Sequence, residues 1–510
     1  MAEIDKFLKQ IIKGSGLFFL GQVFISIFSS LYTVIVARYL GPTEYGLVSL
    51  GVMLTGIVTT FSLLGLQLGL KRYIPHYRSK KEIAKLKGTI INSIFIVLTA
   101  ACFFAFVSFY FAEAIALKLF KTRDFTTILR IFSLAVPAAA LFRLFQEIFL
   151  GFKKIKFKVV FEVLTNGLVM LLLASLVIIL RGPAEGISLA FLTSLLLGVI
   201  GGFFLFEFKT FSIFRSKIKN KWEKQRLFYF CFPLFLSSIV GLILGWSDTF
   251  IIAVMLTPHE VGLYRAAYPL GMILGKFIPS FGAVFIPLAS ELYSEKRTEE
   301  IRRLYQITKR WIFILALPLF TFILFFSKKI ILVFLGKAYL ESWTVLVVIA
   351  LGSLLFSSAG LAYQLLQIFE ATKKIFMVDL TGAGLNLLLN FLLIPRLGIL
   401  GAAISCSFSL SFIHLGNMVL GRQYINIRFD PFEYLRLIVI SVIAITPFFF
   451  LLRFLPDSWL MLALGAVVYL CFYYLLLILW GGLKQDDFLV VNYLRNKGRI
   501  FFKNFLSCAS

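Results

Sequence analysis

The sequence predicts an all-α integral membrane protein with about 14 transmembrane helices, arranged as two six-helix repeat lobes followed by two further helices. Three observations predict this. The 510 residues are 60% hydrophobic and only 15% charged, whereas a soluble domain carries about 25% charged residues. Apolar runs of about 20 residues, the length that crosses a bilayer, recur along the whole chain. A short line is also written twice. "ARYLGPTEYGL" at 37–47 returns 216 residues later as "AVMLTPHEVGL" at 253–263, with Ala37/Ala253, Leu40/Leu256, Pro42/Pro258, Glu44/Glu260, Gly46/Gly262 and Leu47/Leu263 identical.

The leader "MAEIDKFLKQIIKG" places Ile4, Phe7, Leu8, Ile11 and Ile12 on one helical face, which predicts an interfacial helix lying on the membrane. The run that follows, Ser15 to Ala37, is too long for a signal core, and no small-x-small cleavage site follows it. Spans are then expected at 15–37, 46–70, 89–111, 127–150, 159–180, 187–208, 227–253, 262–287, 311–334, 344–369, 376–394, 401–420, 437–455 and 458–482. In the duplicated line, Pro ends the outgoing helix. Glu44 and Glu260 then stand near the start of the next helix, where a carboxylate suits the dipole, so both are read as caps.

Taking the two tails and every second connection as one side gives 37 Lys and Arg there and 7 on the other. The rest lie inside spans, Lys328, Lys329 and Arg453 toward span ends and Arg130, Arg143, Arg265 and Lys276 as the ones that call for a reason. The more basic side faces the cytoplasm, so both termini are expected there. The net charge of +26 is explained by basic connections such as "KIKNKWEKQR" against anionic membrane lipids. Nucleic-acid binding would need aromatics interleaved with the charge on a folded platform, and the sequence offers none. Five cysteines and three histidines are scattered without metal or redox spacing, so no metal and no cofactor are expected.

The repeat extends beyond one turn. "IFLGFKKI" (148–155) recurs as "IFEATKKI" (368–375), and Leu164-Thr165 recurs as Leu380-Thr381. Two parallel repeats follow: residues 1–226 as the first lobe with its interfacial helix, residues 227–436 as the second, and residues 437–510 as two additional helices and a cytoplasmic tail. Internal repeats of this kind mark transporters that rock one half against the other around a central site. "GMILGK" fails as a phosphate loop, because too few residues separate its glycines and Phe277 stands where Ser or Thr should be. "GAGLNL" (382–387) lacks the third glycine of a dinucleotide fold. Nothing in the sequence points to nucleotide hydrolysis. A membrane glycosyltransferase or polymerase would need a catalytic acidic motif or a large outer loop. The adjacent acids Asp486-Asp487 fall in the cytoplasmic tail, so the chain is read as a transporter and not an enzyme.

"ARYLGPTEYGLVSLG" and "LNFLLIPRLGILGAAIS" (389–405), with Asn390, Pro395, Gly398 and Gly401-Ala402-Ala403, resemble the polysaccharide transporter family. These are the oligosaccharide-lipid flippases of the multidrug/oligosaccharidyl-lipid/polysaccharide exporter superfamily. The resemblance covers the whole chain. It implies a cavity between the lobes, alternating access, and transfer of a polyprenyl-(di)phosphate-linked oligosaccharide across the cytoplasmic membrane, for cell-surface polysaccharide or glycan biosynthesis. Glycosyltransferases or a polymerase of the same pathway are the implied partners. The alternatives are a cation-coupled multidrug exporter of the same superfamily and a lipid II-type flippase. The exporter predicts a deep acid in spans one to three, and none stands there.

Such a substrate needs a cationic group for its phosphate and a polar path for its sugar. A Lys or Arg at mid-membrane costs about 2.5–3.5 kcal/mol on insertion scales, so the buried cations are the candidates. Lys276, mid-span in "GMILGKFIPSFGAVFIP" with no acid level with it, is expected to face a watery cavity or an anionic ligand. Arg143 either pairs with Glu147 one turn on or meets the phosphate as it enters. Arg265 and Asp248 stand at matching depths and are expected to pair as a structural contact or an outer gate. Arg130 is read as snorkelling. Gln22 and Gln67, like Gln364, Gln367, Asn386 and Asn390, either line a sugar path or join helices.

Overall fold

The structure is a computed structural model that describes residues 2–212, 224–427, 430–454 and 458–480. The C-terminal tail, with Asp486 and Asp487, and most of the basic 209–226 connection lie outside the described residues. Among the described residues every element is a helix, and thirteen are long and apolar enough to cross a membrane.

The first of these, Gly21–Leu63, has 43 residues, about twice what one crossing needs. It is broken at Gly41, whose φ of 76° and ψ of 172° glycine adopts readily and other residues do not. The break divides it into the first two expected spans, so the thirteen helices among the described residues come near the expected count of about fourteen. The leader is helical and continues into the first span, within Ala2–Leu63.

Other boundaries differ from the sequence expectation. The 288–310 connection is mostly helix, because Thr298–Phe334 begins about three and a half turns before the span expected from 311. Its charges hid an amphipathic stripe, in which Ile301, Tyr305, Thr308, Lys309 and Ile312 are buried at helical spacing. Span eight is interrupted by a 3₁₀ turn, Met272–Lys276, between helices Pro258–Gly271 and Phe277–Ser294.

The contacts gather the chain into two compact units. One comprises Met1–Ile273, Phe334–Gly352 and Thr372–Ile413, and the other Leu274–Val333, Ser353–Ala371 and His414–Ser510. In the first, helices Phe125–Gly151, Ile155–Glu162 and Ala184–Lys209 interleave phenylalanines. Ring centroids stand 4.5 Å apart for Phe142–Phe161, 5.7 Å for Phe149–Phe161 and 6.0 Å for Phe145–Phe206. In lipid, helices associate by packing and hydrogen bonds rather than by the hydrophobic effect, which gives the 59 phenylalanines a structural use. In the second unit, hydroxyls join the last two helices to Thr298–Phe334. Ser441 stands 2.9 Å from Thr321 and 3.0 Å from Tyr469, and the Tyr473 hydroxyl donates to Ile314 O at 3.3 Å.

The two copies of the duplicated line meet inside the first unit. A Cβ built on Gly46 would lie 1.8 Å from Pro258 O, and one on Gly262 would lie 1.8 Å from Pro42 O. Thr43 Oγ1 stands 3.3 Å from His259 Nδ1. Each partner is 216 residues from its counterpart, so the contact repeats itself about a local two-fold. The second copy opens its helix with a capping box: Thr257 is the N-cap, Pro258 follows it, and the Glu260 carboxylate accepts from Thr257 N at 3.2 Å.

Arg310 and Glu433 form an ion pair, with side chains only 11% and 16% exposed. Removing one partner of a buried pair strands the other, at about 3–5 kcal/mol, whereas replacing both is far milder. Arg310→Leu should therefore lower the thermal midpoint of the purified protein more than the Arg310→Leu/Glu433→Leu double variant. A double variant no better than the single would show that this pair does not anchor its helices.

Candidate functional site

Helices Lys224–Met255, Pro258–Gly271, Thr372–Leu397 and Ile399–Gly421 bring a polar cluster together within the first unit. Asp248 is buried at 3% exposure. It accepts from the Tyr264 hydroxyl, from Thr249 N at 2.6 Å and from Thr249 Oγ1 at 3.2 Å. Arg265 lies within electrostatic reach of Asp248 and of Tyr45. Its guanidinium stands over the Trp246 ring at 4.3 Å and the Tyr268 ring at 5.2 Å. No ion pair within 4.0 Å joins Arg265 to Asp248 among the described residues. The two expected residues are thus in one site without direct ion contact. Aromatic faces hold the cation, and hydroxyls and a backbone N–H hold the carboxylate.

Beside them, Ser247 Oγ donates to Asn386 Oδ1 at 2.5 Å and Asn390 Nδ2 donates to the same oxygen at 3.1 Å. Both asparagines are buried, at 2% and 0% exposure, and so act as joints between helices. Cys406 is buried close to Tyr264 and Tyr268. Sequence reading missed Trp246, Tyr264, Tyr268 and Cys406. The available signal was the spacing of Tyr264 and Tyr268, one turn apart around Arg265.

Arg143 is exposed on helix Phe125–Gly151. The local pair with Glu147 is not formed: Arg143 has no ion pair or hydrogen bond among the described residues. Glu147 Oε2 is buried without a hydrogen bond, and its charge acts on Glu162, which stands 3.9 Å from Lys158. Arg130 is exposed, with its guanidinium 5.8 Å from the Phe109 ring. Gln22 and Gln67 are half-buried, and Gln67 Oε1 has no hydrogen-bond partner.

Lys276 ends the 3₁₀ turn and is exposed. No ion pair or hydrogen bond engages its ammonium among the described residues. The preceding Gly275 lies against Phe356, whose ring stacks on His414 at 4.9 Å. A 3₁₀ stretch within a helix often marks a hinge or a strained site. The sequence located the unpaired cation but not this irregularity. No group of three or more His, Cys, Asp or Glu that could hold a metal is found among the described residues.

Residues 11–293, more than half of the chain, match the family described as polysaccharide biosynthesis protein. The chain belongs to this family. Residues 233–392 also match the MatE family. Over 481 residues the chain is 23% identical to an uncharacterized membrane protein of Methanocaldococcus jannaschii, with 91% of this chain and 94% of that protein covered. It is 27% identical over 217 residues to the "Probable low-salt glycan biosynthesis flippase Agl15" of Haloferax volcanii, with 41% and 45% covered. The solved lipid II flippase MurJ, in an inward closed conformation, shares the fold at a TM-score of 0.70 and 18% identity, with 90% of this chain and 98% of that one covered. The Haloferax volcanii relative and the MurJ structure are named as flippases, and this chain is a multi-pass membrane transporter rather than an enzyme.

Removing the Asp248 carboxylate leaves the Tyr264 hydroxyl and Thr249 N–H buried and unpaired, at about 1–3 kcal/mol. Asp248→Asn keeps an acceptor oxygen. Thermal unfolding in detergent should show Asp248→Ala as clearly less stable than Asp248→Asn. Equal losses would mean that charge attraction to Arg265, not hydrogen bonding, holds this site.

Proposed function

We propose that the protein is a flippase that carries a polyprenyl-(di)phosphate-linked oligosaccharide from the inner to the outer leaflet of the cytoplasmic membrane, by alternating access of its two repeat lobes. The carrying observation is the pair of exposed, unpartnered cations on membrane helices, Arg143 and Lys276. An ionised group of this kind persists where water or an anionic ligand offsets its cost, and a lipid-linked sugar carries its anion at the phosphate. Lys offers a point charge and Arg a planar fork, and both bind phosphate. Arg143, toward the inner end of its span, meets the headgroup first, and Lys276 meets it at mid-depth. Arg265 on its aromatic bed is a further cation for the same headgroup.

Family membership and the likeness to a relative named as a glycan biosynthesis flippase support this reading. Both termini face the cytoplasm in it, as the charge bias requires, and glycosyltransferases at the inner face supply the substrate. The MatE match supports one alternative, a cation-coupled exporter of small molecules.

Two measurements test this reading. Reconstituted into vesicles, the wild-type protein should move a polyprenyl-diphosphate oligosaccharide between leaflets and leave a lipophilic cationic dye where it was loaded. Dye extrusion without glycolipid transfer would establish the exporter instead. In intact cells carrying a cysteine-free variant, an impermeant thiol reagent should label Thr43→Cys and spare Ser79→Cys, both positions being exposed. The reverse pattern would invert the topology.

A further inference from the structure

We propose that the reciprocal crossing of Pro42–Gly46 with Pro258–Gly262 is the outer gate of the transport path, closed in this structure and able to close only because both residues at the crossing are glycine. The proposal rests on the alternating-access reading and assigns that motion to named residues.

The contact is unusually close. At each glycine, a side chain would begin 1.8 Å from a carbonyl oxygen of the opposite hairpin, and at Gly262 also 2.7 Å from the Pro42 carbonyl carbon. Both neighbours are backbone, so no rotamer change can relieve the clash. Small residues let membrane helices approach this closely, and a glycine Cα–H directed at a carbonyl is a weak attraction that such an approach permits.

Burial shows which way the path is shut. Gly241, Gly245, Asp248 and Ile252 share one face of helix Lys224–Met255 by their spacing of four, three and four. Asp248 and Ile252, nearer the crossing, are 3% and 0% exposed. A Cβ on Gly241 or Gly245 would meet nothing within 4 Å. Around the crossing, Ala37, Leu50, Val261, Tyr264 and Ala266 are each at most 0% exposed. One helix face is therefore sealed at the end with the duplicated line and open below it.

The contact suits a gate better than a permanent joint. Among the described residues its side-chain hydrogen bonding is the Thr43–His259 contact at an exposed position, and at the two glycines the approach is backbone against backbone. Nothing at the crossing would be left as a buried unpaired charge when it separates, so opening costs little desolvation. The two hairpins are copies of one another, so each uses its own Pro carbonyl to receive the other's glycine. A change at either glycine should therefore have the same effect.

The test places Gly245→Cys, at an open position, in a cysteine-free variant and measures its labelling by an impermeant maleimide added outside. Gly46→Ala and Gly262→Ala should each raise the labelling rate severalfold, and Gly201→Ala, whose Cβ also meets nothing within 4 Å, should not. Unchanged labelling in both gate variants would overturn the proposal. If neither variant reaches the membrane, oxidation of Thr43→Cys/His259→Cys decides. The disulfide should form, stop glycolipid transfer and release it on reduction; failure to form, or full transfer with the disulfide complete, would overturn the gate. If labelling responds as expected but the wild-type protein moves no glycolipid, the gate stands and the proposed substrate falls.

Discussion

An ionised group in hydrocarbon must be paired, hydrated or bound, and this requirement decides where function can reside in the chain. Asp248 is paired by hydroxyls and a backbone N–H, and Arg310 by Glu433. Arg265 has aromatic faces in place of an acid. Arg143 and Lys276 have no such compensation among the described residues. The proposed function assigns both to a polar path or to an anion that comes and goes.

The same requirement governs the backbone. Membrane helices tolerate breaks only where the freed groups find partners or water. The break at Gly41 lies beside Tyr339, whose hydroxyl donates to Ala37 O at 2.8 Å, and the turn at Met272–Lys276 lies beside the exposed lysine. Both breaks fall on helices that carry a copy of the duplicated line. Elsewhere, phenylalanine contacts and hydroxyl joints hold the helices together.

Apolar length and repetition were strong signals in the sequence. They made the helical class, a count of about fourteen spans and the repeat legible, because each rests on composition and spacing alone. The capping role of Glu260 was legible for the same reason: Thr, Pro and Glu stand in the order a helix start requires. Contacts set by orientation were not legible. Spacing suggested an Arg143–Glu147 pair and an Arg265–Asp248 pair, but Arg265 and Asp248 turn to other partners, and Arg143 has no ion pair or hydrogen bond among the described residues. The helix through Thr298–Arg310 was obscured because its charges resemble a loop when counted rather than placed around a wheel. That two glycines 216 residues apart touch each other's hairpins could not be read from one chain, although both lay in the matched lines.

The central claim is that the mid-span ammonium of Lys276 acts on the phosphate of a lipid-linked glycan. It is tested most directly by glycolipid transfer in vesicles, compared among the wild-type protein, Lys276→Ala and Lys276→Arg at equal amounts of folded, inserted protein. Because the lysine breaks no ion pair when removed, the alanine variant should insert normally. It should lose transfer by about tenfold or more, equivalent to about 1.4 kcal/mol of barrier, and arginine should restore part of the rate. Transfer at the wild-type rate by the alanine variant would contradict the account.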